Sequence, residues 1–170
     1  IPLLNKTPQE LFFLAYTDQL TQTYNRNMLE EFRKELDLEI GLRLYVTIVD
    51  IDGLKTINDL HGHQAGDSYI QQIACLLSKK AGIIFRLGGD EFLLLNRTPI
   101  CIGDIGYISY GSVEREPNEM LKDVMHRADM LMYKIKREKK MKNNIESRYL
   151  RKELSYAHRI KDETVGNNSE

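Results

Sequence analysis

The chain reads as a layered α+β domain built on an antiparallel sheet. Three observations predict this. Residues 42–52 form a nearly continuous, β-branched apolar run ending in Asp50-Ile51-Asp52, as expected of a central strand buried on both faces. Two more apolar runs, residues 83–87 and 92–95, flank the turn Gly88-Gly89-Asp90-Glu91, the pattern of a β-hairpin. Between and after these lie segments whose apolar residues recur at helical spacing.

Each element follows in order. Thr7-Pro8-Gln9-Glu10 is a helix start, with Thr as N-cap, Pro in the first turn and Glu three residues after the cap; the helix is expected to reach about residue 16. A loop holding residues 21–27 leads to a second helix over 28–38, and the central strand follows over 42–50. A short helix is expected over 55–60 and a longer one over 66–80, where Tyr69, Ile70, Ile73, Ala74, Leu76 and Leu77 supply the core face. After the hairpin come a strand over 107–113 and a helix over 118–139, with Leu121, Val124, Met125, Ala128, Leu131, Met132 and Ile135 on one face. Ile145, Tyr149, Leu154, Ala157 and Ile160 keep roughly helical spacing, so residues 143–162 are expected to form a final amphipathic helix. A partly disordered basic tail is the alternative. Residues 163–170 are expected to be disordered.

Bulk composition bounds the function. A length of 170 residues suits one domain able to bury its own core. With 42% apolar and 29% charged residues and a net charge of −1, nothing argues for general nucleic-acid binding; the basic stretch 134–142 is local. Cys75 and Cys101 show neither metal spacing nor a disulfide framework, which suits a reducing cytoplasm. No run approaches the ~20 apolar residues of a membrane span. The chain starts at Ile1 with six residues before Thr7, which suggests either an excised domain or a compact stand-alone one.

The chemistry concentrates at two places. Side chains alternate along a strand, so Asp50 and Asp52 share a face. The glycines of the hairpin tip let a ligand approach the backbone, and Asp90 and Glu91 follow at once. A carboxylate at a strand end beside a carboxylate-bearing turn suits a hard divalent cation held together with substrate phosphates. The blander reading is a solvated turn and a strand-ending aspartate.

Several short motifs occur together and in order: Asp18-Gln-Leu-Thr21 with Tyr24-Asn25-Arg26, Asp50-Ile-Asp52, Lys55-x-Ile-Asn58-Asp59, Gly62-His63 with Gly66-Asp67, Gly88 to Phe92, and Ala128-Asp129 with Tyr133 and Lys136. In this the chain resembles the GGDEF family of diguanylate cyclases, which join two GTP molecules into cyclic di-GMP. The resemblance covers roughly residues 16–140. It implies a polymerase-palm, ferredoxin-like fold of the nucleotidyl cyclase type, and it implies a role for each matching residue. Asp50, Asp90 and the Ile51 carbonyl would bind Mg²⁺ (or Mn²⁺). Glu91 would be a further metal ligand or a base near the attacking hydroxyl. Asn58 and Asp67 would read guanine, Lys55 and Lys136 would neutralise the triphosphate, and Gly88 and Gly89 would pass beneath ribose and phosphates. Each domain would hold one GTP, so the active form would be a homodimer, at least transiently. Blander readings stand beside these. Asn58 suits a helix polar contact, Asp67 a helix-start carboxylate, and the two lysines a solvated face. His61 and His63 do not suit an oxygen-rich metal site, and His63 suits a structural hydrogen bond in its turn.

Departures from the family pattern matter too. Only twelve residues separate Leu95 from Ile108, where the family places a helix, and Pro99, Gly103 and Gly106 disfavour one. One sheet face is then expected to be thinly covered, with the C-terminal helix as candidate cover or dimer contact. Gly53-Leu54 replaces an aromatic pair, Lys79-Lys80-Ala81-Gly82 replaces the Arg-x-x-Asp of the family's product-inhibition site, and Lys139-Lys140-Met141 replaces Gly-Arg-Asn. The expectation is a Mg²⁺-dependent diguanylate cyclase. The alternatives are a catalytically weak GTP-binding regulatory module and a cyclase making another cyclic dinucleotide.

Overall fold

The computed structural model describes residues 5–39 and 41–166, with side-chain surroundings up to residue 144. The chain divides into two units, residues 1–133 and 134–170. The first contains four helices, α1 (Pro8–Tyr16), α2 (Arg26–Leu36), α3 (Leu54–His61) and α4 (His63–Ser78), and four strands, β1 (Tyr45–Ile51), β2 (Ile83–Gly88), β3 (Glu91–Asn96) and β4 (Ile108–Glu114). A fifth helix, α5 (Leu121–Gly166), begins in the first unit and supplies the second.

The strands form one antiparallel sheet in the order β2-β3-β1-β4. β1 is central, and all seven of its residues are buried. Alternation along it divides the core. Val46 and Ile48 join Phe85, Leu93 and Leu95 beneath Leu29 and Leu36 of α2 and Leu121, Val124, Ala128 and Met132 of α5. Val49 and Ile51 face the other way, with Phe92, Leu94 and Ile108, beneath Ile70, Ile73, Ala74 and Leu77 of α4.

Local chemistry sets the boundaries. Thr7 and Glu10 form the expected capping box of α1. Asn25 caps α2, its Oδ1 accepting from Asn27 N–H (2.9 Å) and Met28 N–H (3.2 Å), so α2 starts two residues earlier than the sequence suggested. Gly62, at φ 83°, separates α3 from α4, which therefore starts at His63 rather than Gly66. Asn118 takes φ 66°, outside the helical region, and delays α5 to Leu121, whose N–H donates to Asp37 Oδ1 at 2.7 Å.

Residues 97–107 contain no helix, as their glycines and proline implied. The face left open by it is covered from within the segment, since Ile102 (0% exposed) and Ile105 (6%) insert beside α4. The side chains of Ile145, Tyr149, Leu154, Ala157 and Ile160, on which the expected C-terminal cover depends, lie outside the described residues. Helix α5 does not stop near residue 139; it continues across residue 142, and residues 163–166 are helical rather than disordered. Residues 167–170 lie outside the described residues. Leu76 was expected in the core of α4 but is 42% exposed, because it lies off the 70-73-74-77 stripe.

Candidate active site

The two sequence-predicted places meet at one end of the sheet. Asp50, near the end of β1, is directly opposite Glu91, the first residue of β3. Opposed residues of an antiparallel pair share a face. One step further, Ile51 N–H donates to the Asp90 carbonyl at 3.0 Å. Asp50 is nearly buried (6% exposed), whereas Asp90 and Glu91 are partly exposed. Burial, and then the like charges of Asp50, Asp90 and Asp129, push the Glu91 carboxyl above its ordinary range, with Arg26 opposing them.

The turn between β2 and β3 needs its glycines. Gly88 has φ 147° and Gly89 φ 51°, and a β-carbon built on either would meet no atom within 4 Å. The requirement is conformational, and the space above the turn is open. A register shift between Arg86 and Gly88 marks a bulge there.

Arg86 fixes this turn, a role the sequence did not reveal. Its Nε and Nη2 donate to the Gly89 carbonyl at 3.2 and 2.7 Å. Its Nη1 donates to Asp18 Oδ1 at 3.0 Å in a partly buried ion pair. Partial burial pushes the Asp18 carboxyl up, but hydrogen bonds from the Thr21 amide and hydroxyl and from Arg86 outweigh it and hold the carboxyl low. The motif around Asp18 to Arg26 therefore buttresses the edge of β2. Tyr24 N–H donates to the Ile84 carbonyl, Arg86 N–H donates to the Tyr24 carbonyl, and Arg26 Nε donates to the Leu87 carbonyl at 3.2 Å.

Asn58 meets Gly66, the residue before Asp67, where α3 packs on α4. The Asn58 carboxamide lies directly against Gly66, where a β-carbon would stand 2.9 Å from Asn58 Cγ. Asn58 Oδ1 is buried and has no hydrogen-bond partner among the described residues. Asp67 follows Gly66 and is exposed in the second turn of α4, not at its N-terminus, so helix capping does not account for it. Lys55 is exposed in the first turn of α3. Lys136 belongs to α5 beyond residue 133, in the second unit. His61 and His63 are exposed, as are the free thiols Cys75 and Cys101. Among the described residues, no three His, Cys, Asp or Glu side chains form a metal cage.

Residues 15–101 match the family model described as diguanylate cyclase, GGDEF domain. The chain belongs to the GGDEF family. Diguanylate cyclase DgcP of Escherichia coli is 29% identical over 166 residues, covering 80% of this chain and 49% of DgcP. YtrP of Bacillus subtilis, an uncharacterized protein, is 32% identical over 146 residues, covering 73% of this chain and 25% of YtrP. The chain thus spans a quarter to a half of these curated relatives. The coiled coil and GGDEF domain of DgcB from Caulobacter crescentus, in complex with c-di-GMP, superposes with a TM-score of 0.68 at 25% identity, covering 80% of this chain and 88% of that one. The palm-like GGDEF fold expected from the sequence is the fold found. Among the described residues no helix is long and apolar enough to cross a membrane.

Proposed function

We propose that the chain is a diguanylate cyclase, condensing two GTP into cyclic di-GMP and two pyrophosphates with Mg²⁺ (or Mn²⁺), in a homodimer that brings two GTP-loaded sites face to face. The observation that carries this reading is the meeting of Asp50 and Glu91 across β1 and β3, beside the Ile51–Asp90 bond, under an open double-glycine turn. Mg²⁺ takes few protein ligands and completes its shell with water and substrate phosphates, so two carboxylates and a carbonyl fit it without a closed cage. Asp50, Asp90 and the Ile51 carbonyl would hold it, with Glu91 beside them. When bound, it would neutralise charge on the phosphates.

The remaining work falls to the chain itself. The open surface at Gly88 and Gly89 lets ribose and phosphates lie against the backbone. Glu91, opposite Asp50 at the end of the sheet, would stand where it could accept the proton of the attacking 3′-hydroxyl. Lys55 and Lys136 would offset triphosphate charge. With its oxygen packed on Gly66, the Asn58 amide has its NH₂ group left to donate to a guanine acceptor. Asp67 would accept from the guanine N1 and N2 donors, which adenine lacks. That substrate sets the reaction in the cytoplasm.

One observation favours a second reading, a GTP-binding regulatory module with weak turnover: residues 97–107 replace a helix of the family. Incubation of the purified chain with Mg²⁺ and GTP or ATP, followed by mass analysis, decides between them. Cyclic di-GMP from GTP alone is the expected result. A different dinucleotide would overturn the guanine assignment. Bound GTP without product at high protein concentration would favour the regulatory module.

A further inference from the structure

The peptide unit joining Ile51 to Asp52 has its carbonyl end in the candidate cation site and its amide end tied to the segment entering β4. Asp52 N–H donates to the Tyr107 carbonyl at 2.8 Å. A trans peptide directs its carbonyl opposite its N–H, and no cis bond occurs among the described residues. The Ile51 carbonyl therefore faces away from β4, on the side where Ile51 N–H meets Asp90.

The same unit is tied a second time. Ser109 Oγ donates to Asp52 Oδ1 and Oδ2 at 2.8 and 3.0 Å. Ser109 is fully buried and directly opposite Asp50, so its hydroxyl stands on the Asp50 face of the sheet. A serine has one hydroxyl proton, and here it goes to Asp52. Tyr107, which supplies the other tie, is held at φ 61°, a costly conformation for a residue with a bulky side chain.

We infer that Ser109 is a positioning residue for the cation site: by holding the Asp52 carboxylate it locks the 51–52 peptide so that the Ile51 carbonyl stands toward Asp90, and Asp52 is an anchor rather than a cation ligand. This rests on the cyclase reading only in assuming a divalent cation beside Asp50 and Asp90.

The test is calorimetric titration of Mn²⁺ into the full chain saturated with a non-hydrolysable GTP analogue, paired with thermal unfolding in chelator. Ser109→Ala is expected to weaken Mn²⁺ binding about tenfold, the scale for partners that orient metal ligands. Binding of the analogue in chelator should stay at the wild-type value. Asp52→Asn keeps an acceptor for the Ser109 hydroxyl and should bind Mn²⁺ like wild type, whereas Asp52→Ala should match Ser109→Ala. The double variant should be no worse than either single one, because both remove the same tie. Loss in Asp52→Asn equal to that in Asp52→Ala would make Asp52 a ligand and overturn the inference, as would wild-type Mn²⁺ affinity in Ser109→Ala. Where Ser109→Ala does not fold, the two Asp52 variants decide alone. A wild-type chain that takes up no Mn²⁺ with the analogue overturns the cation site itself, and both readings with it.

Discussion

Gly66→Ala separates nucleotide recognition from folding. Gly66 is buried in α4, and the three atoms nearest an added β-carbon all belong to the Asn58 carboxamide, with Cγ at 2.9 Å, Nδ2 at 3.3 Å and Oδ1 closer still. Two effects oppose each other. Alanine gains about 0.8–1 kcal/mol over glycine inside a helix. Overpacking a fitted contact costs about 1–3 kcal/mol. Asn58 has a short, rotatable side chain, so it can swing aside and relieve most of the clash. The net change in stability is then expected within about 1 kcal/mol, or ~2–4 °C in Tm for a chain of this size. The displaced amide, however, loses its place against Gly66, where the cyclase reading has it meet guanine. A hydrogen bond withdrawn from a buried polar group of the ligand costs ~1–3 kcal/mol, or roughly 10–100-fold in GTP affinity. The assay is GTP and ATP titration together with thermal melts of Gly66→Ala, Asn58→Ala and the double variant. In the Asn58→Ala background the clash is gone, so Gly66→Ala should turn stabilising by about the helix-propensity gain of ~0.8–1 kcal/mol. Unchanged GTP affinity in Gly66→Ala, or a double variant less stable than Asn58→Ala, would refute the reasoning.

Other outcomes follow from the same geometry. Arg86→Ala removes two donors to the Gly89 carbonyl and leaves Asp18 partly buried without its partner, so it should cost about 2–3 kcal/mol by chemical denaturation. Arg86→Lys should rescue little of it, because an ammonium cannot reproduce the guanidinium fork. Gly111→Ala would set a β-carbon 2.5 Å from Met132 N and 3.0 Å from Leu131 Cβ, and closer to the Ala128 carbonyl; helix backbone cannot rotate aside, so a loss of ~3 kcal/mol is expected in the same assay. Asp67→Asn should narrow the preference for GTP over ATP in competition binding. Glu91→Gln should raise the metal-free Tm at neutral pH. The native state holds the Glu91 proton more tightly than the unfolded chain does, so ionisation costs stability as pH rises through the carboxylate range. The gain should fade as pH falls below the ordinary glutamate pKa of about 4.3, and a gain that persists there would point to packing instead.

The Glu91 prediction follows from the charges gathered at the site. The site holds Asp50, Asp90, Glu91 and Asp129 close enough for each of the other three to raise the proton affinity of Glu91. Arg26 opposes them there, and Arg86 is committed to Asp18 and the Gly89 carbonyl. Like charges gathered in this way make ionisation of Glu91 costly in the bare protein, and a bound cation would offset that cost.

What could be read from the sequence was local. The apolar run into Asp50 fixes a buried strand, the alternation fixes which face Asp50 shares with Ile48, and glycines 88 and 89 mark a turn only they can make easily. Pairings across long stretches of chain left no local signal: Asp18 and Arg86 are 68 residues apart, and neither differs in type from a solvated surface charge. Residues 97–107 have no periodicity, so nothing distinguished Ile102 and Ile105 as core from loop residues left exposed. The length of α5 was legible but missed, since residues 121–165 contain neither proline nor glycine and the helix runs to Gly166, the first such residue. Asn58 shows the limit most clearly. Its residue type permits both a helix contact and a base reader, and the two are compatible, because Gly66 leaves room for the oxygen while the NH₂ group stays available to donate. A sequence gives the two residues but not their contact, and on the cyclase reading that contact would be what aims the amide at a base.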